Sequence, residues 1–277
     1  MSTLPGVFHR RFIQTAATAL LIASGMLAPT TATDIAGAEP KTITVLQLNL
    51  CNSGHASCFE DGSVTEAILR VNELETKPDV ITLNEVCQND VFAIANATGY
   101  QEKSALFFPA FSRRDDGSTS TTPRKCKDRD GYQNEDYGIG LMVRNHGHVT
   151  WGIGLVYGKQ NESSREARVA VCAGYRGLNA CTTHLAVEAT DDALAQCMEL
   201  RELTAELARQ QPTVVAGDFN LKYDEDVQKC VPEGFFRKGD GKVQHVMASG
   251  HFEFVSSRKI PLDDTDHDGL MVTIRLK

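Results

Sequence analysis

The sequence predicts an α/β fold of mixed β-sheets, two of them facing each other. Helix-led strands and hairpin-led strands occur in the same chain, and that mixture argues for mixed sheets. The residues after Ala38 also suffice for one sizeable core.

Taken in order, residues 43–49 form an apolar run ending on a carboxamide, a strand pattern. Ser63-Val-Thr-Glu66 has the capping-box spacing, and Val64, Ala67, Ile68, Val71 and Leu74 then recur at helical spacing until Pro78 stops the run. That helix delivers the chain into a strand over 80–85. Residues 137–143, 149–157, 167–173 and 178–184 read as successive strands joined by Gly and Asn connections. A second helix over 191–209 shows Leu194, Met198, Leu203 and Leu207 on one side, with Asp191 and Asp192 at its positive end. It leads into a strand over 213–218, and 243–248, 252–256 and 270–276 supply three more. Residues 112–134 read as one long irregular stretch. Arg113, Arg114, Arg124, Lys125, Lys127 and Arg129 stand there against Asp115, Asp116, Asp128 and Asp130, a cationic segment suited to a polyanion.

Residues 1–38 read as an export leader and 39–277 as a single domain. Arg10 and Arg11 precede an apolar stretch from about Thr15 to Leu27, and Ala36-Gly-Ala38 gives the small-residue cleavage pattern. His9-Arg-Arg-Phe-Ile13 partly fits a twin-arginine leader; an ordinary secretory leader shows such a pair too. The apolar stretch is short for a membrane span, so the expectation is a secreted protein with no stable membrane insertion. No protein partner is evident. Eight cysteines follow the cleavage point, an even number that suits an exported, disulfide-bonded chain. Cys51 with Cys58 closes a small loop and Cys172 with Cys181 spans a hairpin connection. For the other four, three arrangements are open, with Cys87–Cys126 and Cys197–Cys230 preferred. No Cys-x-x-Cys spacing favours zinc. The chain carries −8, and loss of Arg10, Arg11 and Asp34 leaves −9, so bulk charge does not attract nucleic acid.

The chemistry lies at the strand ends. Asn49, Glu85, His184 and Asp218 each close an apolar run, Asn220 follows two residues after Asp218, and Asp266-His267 comes near the carboxyl end. In this order, with Gly-Asp-Phe-Asn around Asp218, they resemble the endonuclease/exonuclease/phosphatase superfamily, whose best-known members are similar to deoxyribonuclease I. The resemblance spans roughly residues 41 to 277 and implies a four-layer sandwich, with helices outside two packed sheets and the site at one rim.

It also implies a metal-dependent phosphodiesterase, most readily a nuclease acting on DNA or RNA. Glu85, Asn49 and Asp266 would hold the metal. Hard oxygen donors suit Mg2+, with Mn2+ or Ca2+ as alternatives, better than zinc. Asp218 with His267 would activate water, Asn220 would hold the phosphate or that water, and His184 would protonate or stabilise the leaving side. Arg168 matches a position that often contacts phosphate, and also reads as a surface arginine at a strand start. Tyr137 either reaches the phosphate or edges a core strand. One departure is Gln244, where the family's strand normally brings an aspartate to orient the histidine corresponding to His267. The alternatives are a lipid-headgroup phosphodiesterase similar to sphingomyelinase, which wants an exposed aromatic hairpin, and a non-catalytic secreted binding protein on the same fold. For the first, only Phe107-Phe-Pro-Ala-Phe111 offers itself.

Overall fold

The computed structural model describes residues 41–128 and 131–277. The expected leader over 1–38 lies outside the described residues, as do Arg129 and Asp130. From the amino end come β1 (Thr42–Asn49), α1 (Ser63–Glu73), β2 (Val80–Cys87) and α2 (Gln88–Thr98). There follow β3 (Ala105–Pro109), β4 (Phe111–Arg113), β5 (Thr119–Pro123), β6 (Lys125–Asp128) and β7 (Gly131–Val143). Next are β8 (Trp151–Val156), β9 (Glu166–Ala167), β10 (Val169–Tyr175), β11 (Leu178–His184) and α3 (Thr190–Ala208). The run closes with β12 (Thr213–Asp218), α4 (Asp224–Lys229), β13 (Phe236–Gly239), β14 (Gln244–Ala248), β15 (Phe252–Ile260) and β16 (Gly269–Leu276).

Besides a small three-stranded sheet, β5-β4-β9, there are two large ones: one is seven-stranded, ordered β15-β16-β1-β2-β7-β3 with β6 paired to β7 off that path; the other is six-stranded, ordered β13-β14-β12-β11-β10-β8. Both are mixed for the same reason. At each centre two strands joined through a helix run parallel, β1 with β2 and β11 with β12. Antiparallel partners flank them: β16 and β7 in the first sheet, β14 and β10 in the second.

Strand side chains alternate, so each central strand has one face toward the other sheet and one toward helices. Ile43, Val45, Val80, Ala180, Val214 and Ala216 meet in the core between the sheets. Leu46, Leu48, Ile81 and Leu83 instead pack with Ala67 and Val71 of α1 and Val91 and Ile94 of α2. Val215 packs with Ala193, Cys197 and Leu200 of α3 and Val227 of α4. The result is the expected four-layer sandwich. The inner faces change character along the strands: Gln47 and Asn49 follow Val45, Thr82 and Asn84 follow Val80, Thr182 and His184 follow Ala180, and Asp218 follows Ala216, all buried. Oil at one end of the sandwich therefore gives way to buried polar groups at the other. That rim is where a site can form.

Several expectations are corrected. The capping box at Ser63 and Glu66 does not form: Gly62 is the N-cap and no side chain caps α1. Glu66 instead accepts the backbone N–H groups of Asp263 (2.9 Å) and Asp264 (2.8 Å), so it anchors the loop between β15 and β16. The helix also ends at Glu73, well before Pro78. In α3 the buried face is Ala193, Cys197, Leu200, Thr204 and Leu207, with Leu194, Met198 and Leu203 on its flanks. The stretch 112–134 is largely strand, contributing to β4, β5, β6 and β7. Among its described cations, Arg113 is buried and donates to the carbonyls of Asn161 and Gly117, and Lys125 pairs with Asp136 at 2.6 Å. The four bridges are Cys51–Cys58, Cys87–Cys126, Cys172–Cys181 and Cys197–Cys230, the preferred pairing, and no cysteine is free. Cys51 and Cys58 lie close to the Asp266 carboxylate, but as a disulfide they offer no thiolate to a metal.

Candidate active site

Glu85 owes its position to an irregularity in β2. The register with β7 shifts between Leu83 and Val86, and Glu85 takes the left-handed backbone at φ 54°. A bulge of this kind re-aims a side chain. Asn52 N–H takes the freed Glu85 carbonyl at 2.9 Å, and α2 starts immediately after Cys87. The aimed carboxylate meets Asn49, whose Nδ2 donates to Glu85 Oε1 at 3.0 Å and to Asp218 Oδ2 at 3.1 Å. One carboxamide thus joins two carboxylates from different sheets. Burial pushes the Glu85 carboxyl up to about 7 and also raises Asp218, against the pull of His267.

On the second sheet, His184 is buried with Nε2 3.8 Å from Glu85 Oε1. Arg168 Nη1 lies 2.7 Å from His184 Nδ1 and 2.9 Å from Glu166 Oε1, and Tyr137 OH donates to Glu166 Oε1 at 3.1 Å. A guanidinium has donors only, so Nδ1 is the acceptor and the ring proton sits on Nε2, facing the site. Burial, then the Arg168 charge, hold the imidazole well below its usual range. Arg168 is thus a buried residue rather than a surface arginine, and Tyr137 is buried on β7.

The β15–β16 loop supplies the opposite wall. Thr265 Oγ1 donates to the Asn49 carbonyl at 2.9 Å, tying the loop to β1. His267 Nε2 then stands 3.7 Å from Asp218 Oδ2 and 3.5 Å from Asp266 Oδ1, with Asp266 about half exposed at the outer edge. Asn220, at φ 50°, gives its backbone N–H to Asp218 Oδ1 at 2.9 Å and its Nδ2 to the Leu185 carbonyl at 3.0 Å. Contacts of 3.8 Å or less therefore join all seven residues from Asn49 to His267.

Residues 51–267 match the Endonuclease/Exonuclease/phosphatase family. The chain belongs to that family. It is therefore a hydrolase acting on phosphoester bonds. The matched span holds every residue of the site but Asn49, which lies two positions before it. No curated protein matches the sequence. Among solved structures, an endonuclease/exonuclease/phosphatase from Beutenbergia cavernae DSM 12333 superposes with TM-score 0.61 at 15% identity, over 85% of this chain and 72% of that one. The human Nocturnin catalytic domain with bound sulfate anion gives 0.62 at 17%, over 85% and 95%. Humanized D. rerio TDP2 gives 0.57 at 15%, over 84% and 98%. These likenesses are of fold.

Within this family member, two sets of supporting residues escaped the sequence reading. Asn84 Oδ1 accepts Asp218 N–H at 2.8 Å and Gln47 Nε2 at 2.7 Å, and its Nδ2 reaches the Thr183 carbonyl at 3.0 Å. Thr82 Oγ1 completes the seam by donating to Gln47 Oε1 at 2.5 Å. This buried ladder sews the two sheets together under the site. The signal was present, since Gln47 and Thr82 break apolar runs at the same parity as Asn49 and Asn84. The second is Glu166, on β9 two residues before Arg168, which lies in the break between β9 and β10.

Proposed function

We propose that this chain is an exported, metal-dependent phosphodiesterase, a nuclease that hydrolyses DNA or RNA with one domain over 39–277. The observation that carries the reading is the Asn49 carboxamide spanning Glu85 and Asp218 between the sheets, with an imidazole on either side. The donor set fits a hard divalent cation. Glu85 is a largely buried carboxylate whose raised pKa marks a poorly compensated charge, and beside the two imidazoles the site adds the carboxylates of Asp218 and Asp266 and the Asn49 carboxamide. Glu85, Asn49 and Asp266 would hold Mg2+, with Mn2+ or Ca2+ competing for the same oxygens. When bound, it neutralises charge developing on the phosphate oxygens.

The chain's own groups do the rest. Asp218 and His267 face each other and form the pair that takes the proton from an attacking water. Asn220 is turned to fix the Asp218 carboxylate, so its contribution is to that base. His184 presents an N–H to an oxygen of the phosphate and stabilises negative charge there without giving up a proton. That favours the stabilising role over proton delivery. Four disulfides support an extracellular setting. Among the described residues no helix is long and apolar enough to cross a membrane.

The nuclease reading gains over the lipid one because the aromatic run offered for membrane docking is used internally. Phe107 packs with the α2 side of the first sheet, and Phe108 and Phe111 pack on the core between sheets. A product assay on supercoiled DNA, RNA, sphingomyelin and inositol phosphates in parallel, with Mg2+ and with EDTA, tests the reading. Cleavage of a nucleic acid that EDTA abolishes and Mg2+ restores supports it. Preferred turnover of sphingomyelin would replace it.

A further inference from the structure

We infer that Glu166 is a positioning residue: through Arg168, and with Tyr137 behind it, it fixes the orientation and tautomer of His184. This rests on the reading of His184 as a donor to the phosphate. The sequence reading gives Glu166 no role and offers Arg168 and Tyr137 either to the phosphate or to a structural place. The contacts point to His184.

Four groups form one buried chain. Tyr137 OH donates to Glu166 Oε1, the same oxygen meets Arg168 Nη1, and the same Nη1 donates to His184 Nδ1. Both charged partners are largely withdrawn from solvent, the Arg168 side chain being 9% exposed and that of Glu166 12%. A buried ion pair adds little stability over an apolar pair of the same shape, so stability is a weak account of why one is present. The third contact supplies a better one. Without Glu166, the Arg168 guanidinium loses its one ion-paired carboxylate, leaving only the charges of Glu85 and Asp218 across the site, and nothing holds its Nη1 on Nδ1. Without Arg168, the one contact left to favour a proton on Nε2 is Glu85 Oε1 at 3.8 Å, beyond hydrogen-bond reach. The backbone is fixed to match. Gln160 Oε1 accepts Arg168 N–H at 2.7 Å and Gln160 Nε2 donates to the Arg168 carbonyl at 3.0 Å, so one side chain clamps both backbone groups of Arg168 between β9 and β10. Glu166 is held by pairing with Ser112 across β9 and β4.

The test uses the full disulfide-bonded enzyme and two readouts. Long-range nitrogen–proton NMR of the His184 ring reports its tautomer directly and needs no substrate. In the parent, the Nε2–H tautomer is expected alone. In Glu166→Gln and Arg168→Met, mixed tautomers are expected, with kcat lower by about 10- to 100-fold and KM within about threefold, the pattern of a lost supporting contact. Arg168→Lys should recover part of the loss, since a single nitrogen makes both contacts. Tyr137→Phe removes only the outermost hydrogen bond and should lower kcat a few-fold, which keeps the inference testable if Glu166→Gln does not fold. An unchanged ring spectrum and kcat in folded Glu166→Gln would overturn it. So would a loss carried by KM, which would make Arg168 a phosphate ligand. If the parent hydrolysed no phosphodiester, the proposed function would fail while the NMR result still decided what holds His184.

Discussion

The two sheets brace their halves of the site by different means. On the first sheet, Asn49 and Glu85 are each followed two residues later by a bridged cysteine, Cys51 and Cys87, and both glutamate and Cys51 sit in left-handed backbone. On the second sheet, no bridge lies so near His184 or Asp218. Instead, a buried hydrogen bond from Arg168 holds His184, and one from the Asp218 N–H to Asn84 Oδ1 holds Asp218. Under the proposed function the difference matches the work of each pair: Asn49 and Glu85 would form a rigid cage for a cation, whereas His184 needs a chosen tautomer and Asp218 a chosen partner.

The comparison breaks first at turnover. Asp218→Asn keeps the shape but removes the base, and kcat should fall about 10²- to 10⁴-fold with little change in the Mg2+ concentration needed. Glu85→Gln should do the opposite first, raising the Mg2+ requirement. Indistinguishable metal titrations for the two variants would remove the division of labour.

Covalent bracing comes next. Cys87–Cys126 closes a 39-residue separation, for which loop-closure entropy gives roughly 4 kcal/mol of stability. Cys87→Ala/Cys126→Ala should lower the denaturation midpoint accordingly and weaken Mg2+ binding, because the turn that aims Glu85 is released. Cys172–Cys181 joins paired positions on β10 and β11 away from the rim, so its removal should cost stability without changing the metal titration.

A smaller effect is the pH dependence of the metal-free protein. Glu85 binds its proton more tightly folded, at about 7, than at its ordinary 4.5. Between those values the folded chain holds a proton the unfolded chain has lost, so stability falls as pH rises through that window, by on the order of 3 kcal/mol in all. Chelated Glu85→Gln should show a flatter profile in urea melts from pH 4 to 8. A profile as steep as the parent's would place the strain elsewhere.

What was legible follows from period. Asn49, Glu85, His184 and Asp218 each stop an apolar strand, and such stops survive in the sequence whatever the packing. Helix α2 was missed although Val91, Ile94, Ala95 and Thr98 repeat at helical spacing and face inward, because no connection separates the helix from β2. The bulge at Glu85 was not legible, because it depends on where β7 pairs. Nor was Glu166 as the partner of Arg168, since its place is set by β4, which falls at the start of the stretch 112–134 that reads as irregular. Charge composition describes what a segment carries and is silent on which charges are already spent on one another.

The smallest expected effect concerns the loop that neither brace reaches. Gln244 on β14 donates Nε2 to the Asp268 carbonyl at 2.7 Å, and Asp268 is the neighbour of His267. Gln244 Oε1 and His267 Nδ1 are both buried without a partner among the described residues. An acceptor and a ring nitrogen therefore stand unsatisfied on either side of one hydrogen bond. If His267 gains a proton during turnover, a carboxylate at 244 should stabilise it better than a carboxamide does. Gln244→Glu should then move the acid limb of kcat/KM to higher pH and change the plateau by less than about tenfold, within the range open to general-base tuning. Gln244→Met, which fills the same space with neither donor nor acceptor, should leave the limb in place. A pH profile unmoved in Gln244→Glu would mean that His267 stays neutral throughout, leaving Asp218 to take the water's proton alone.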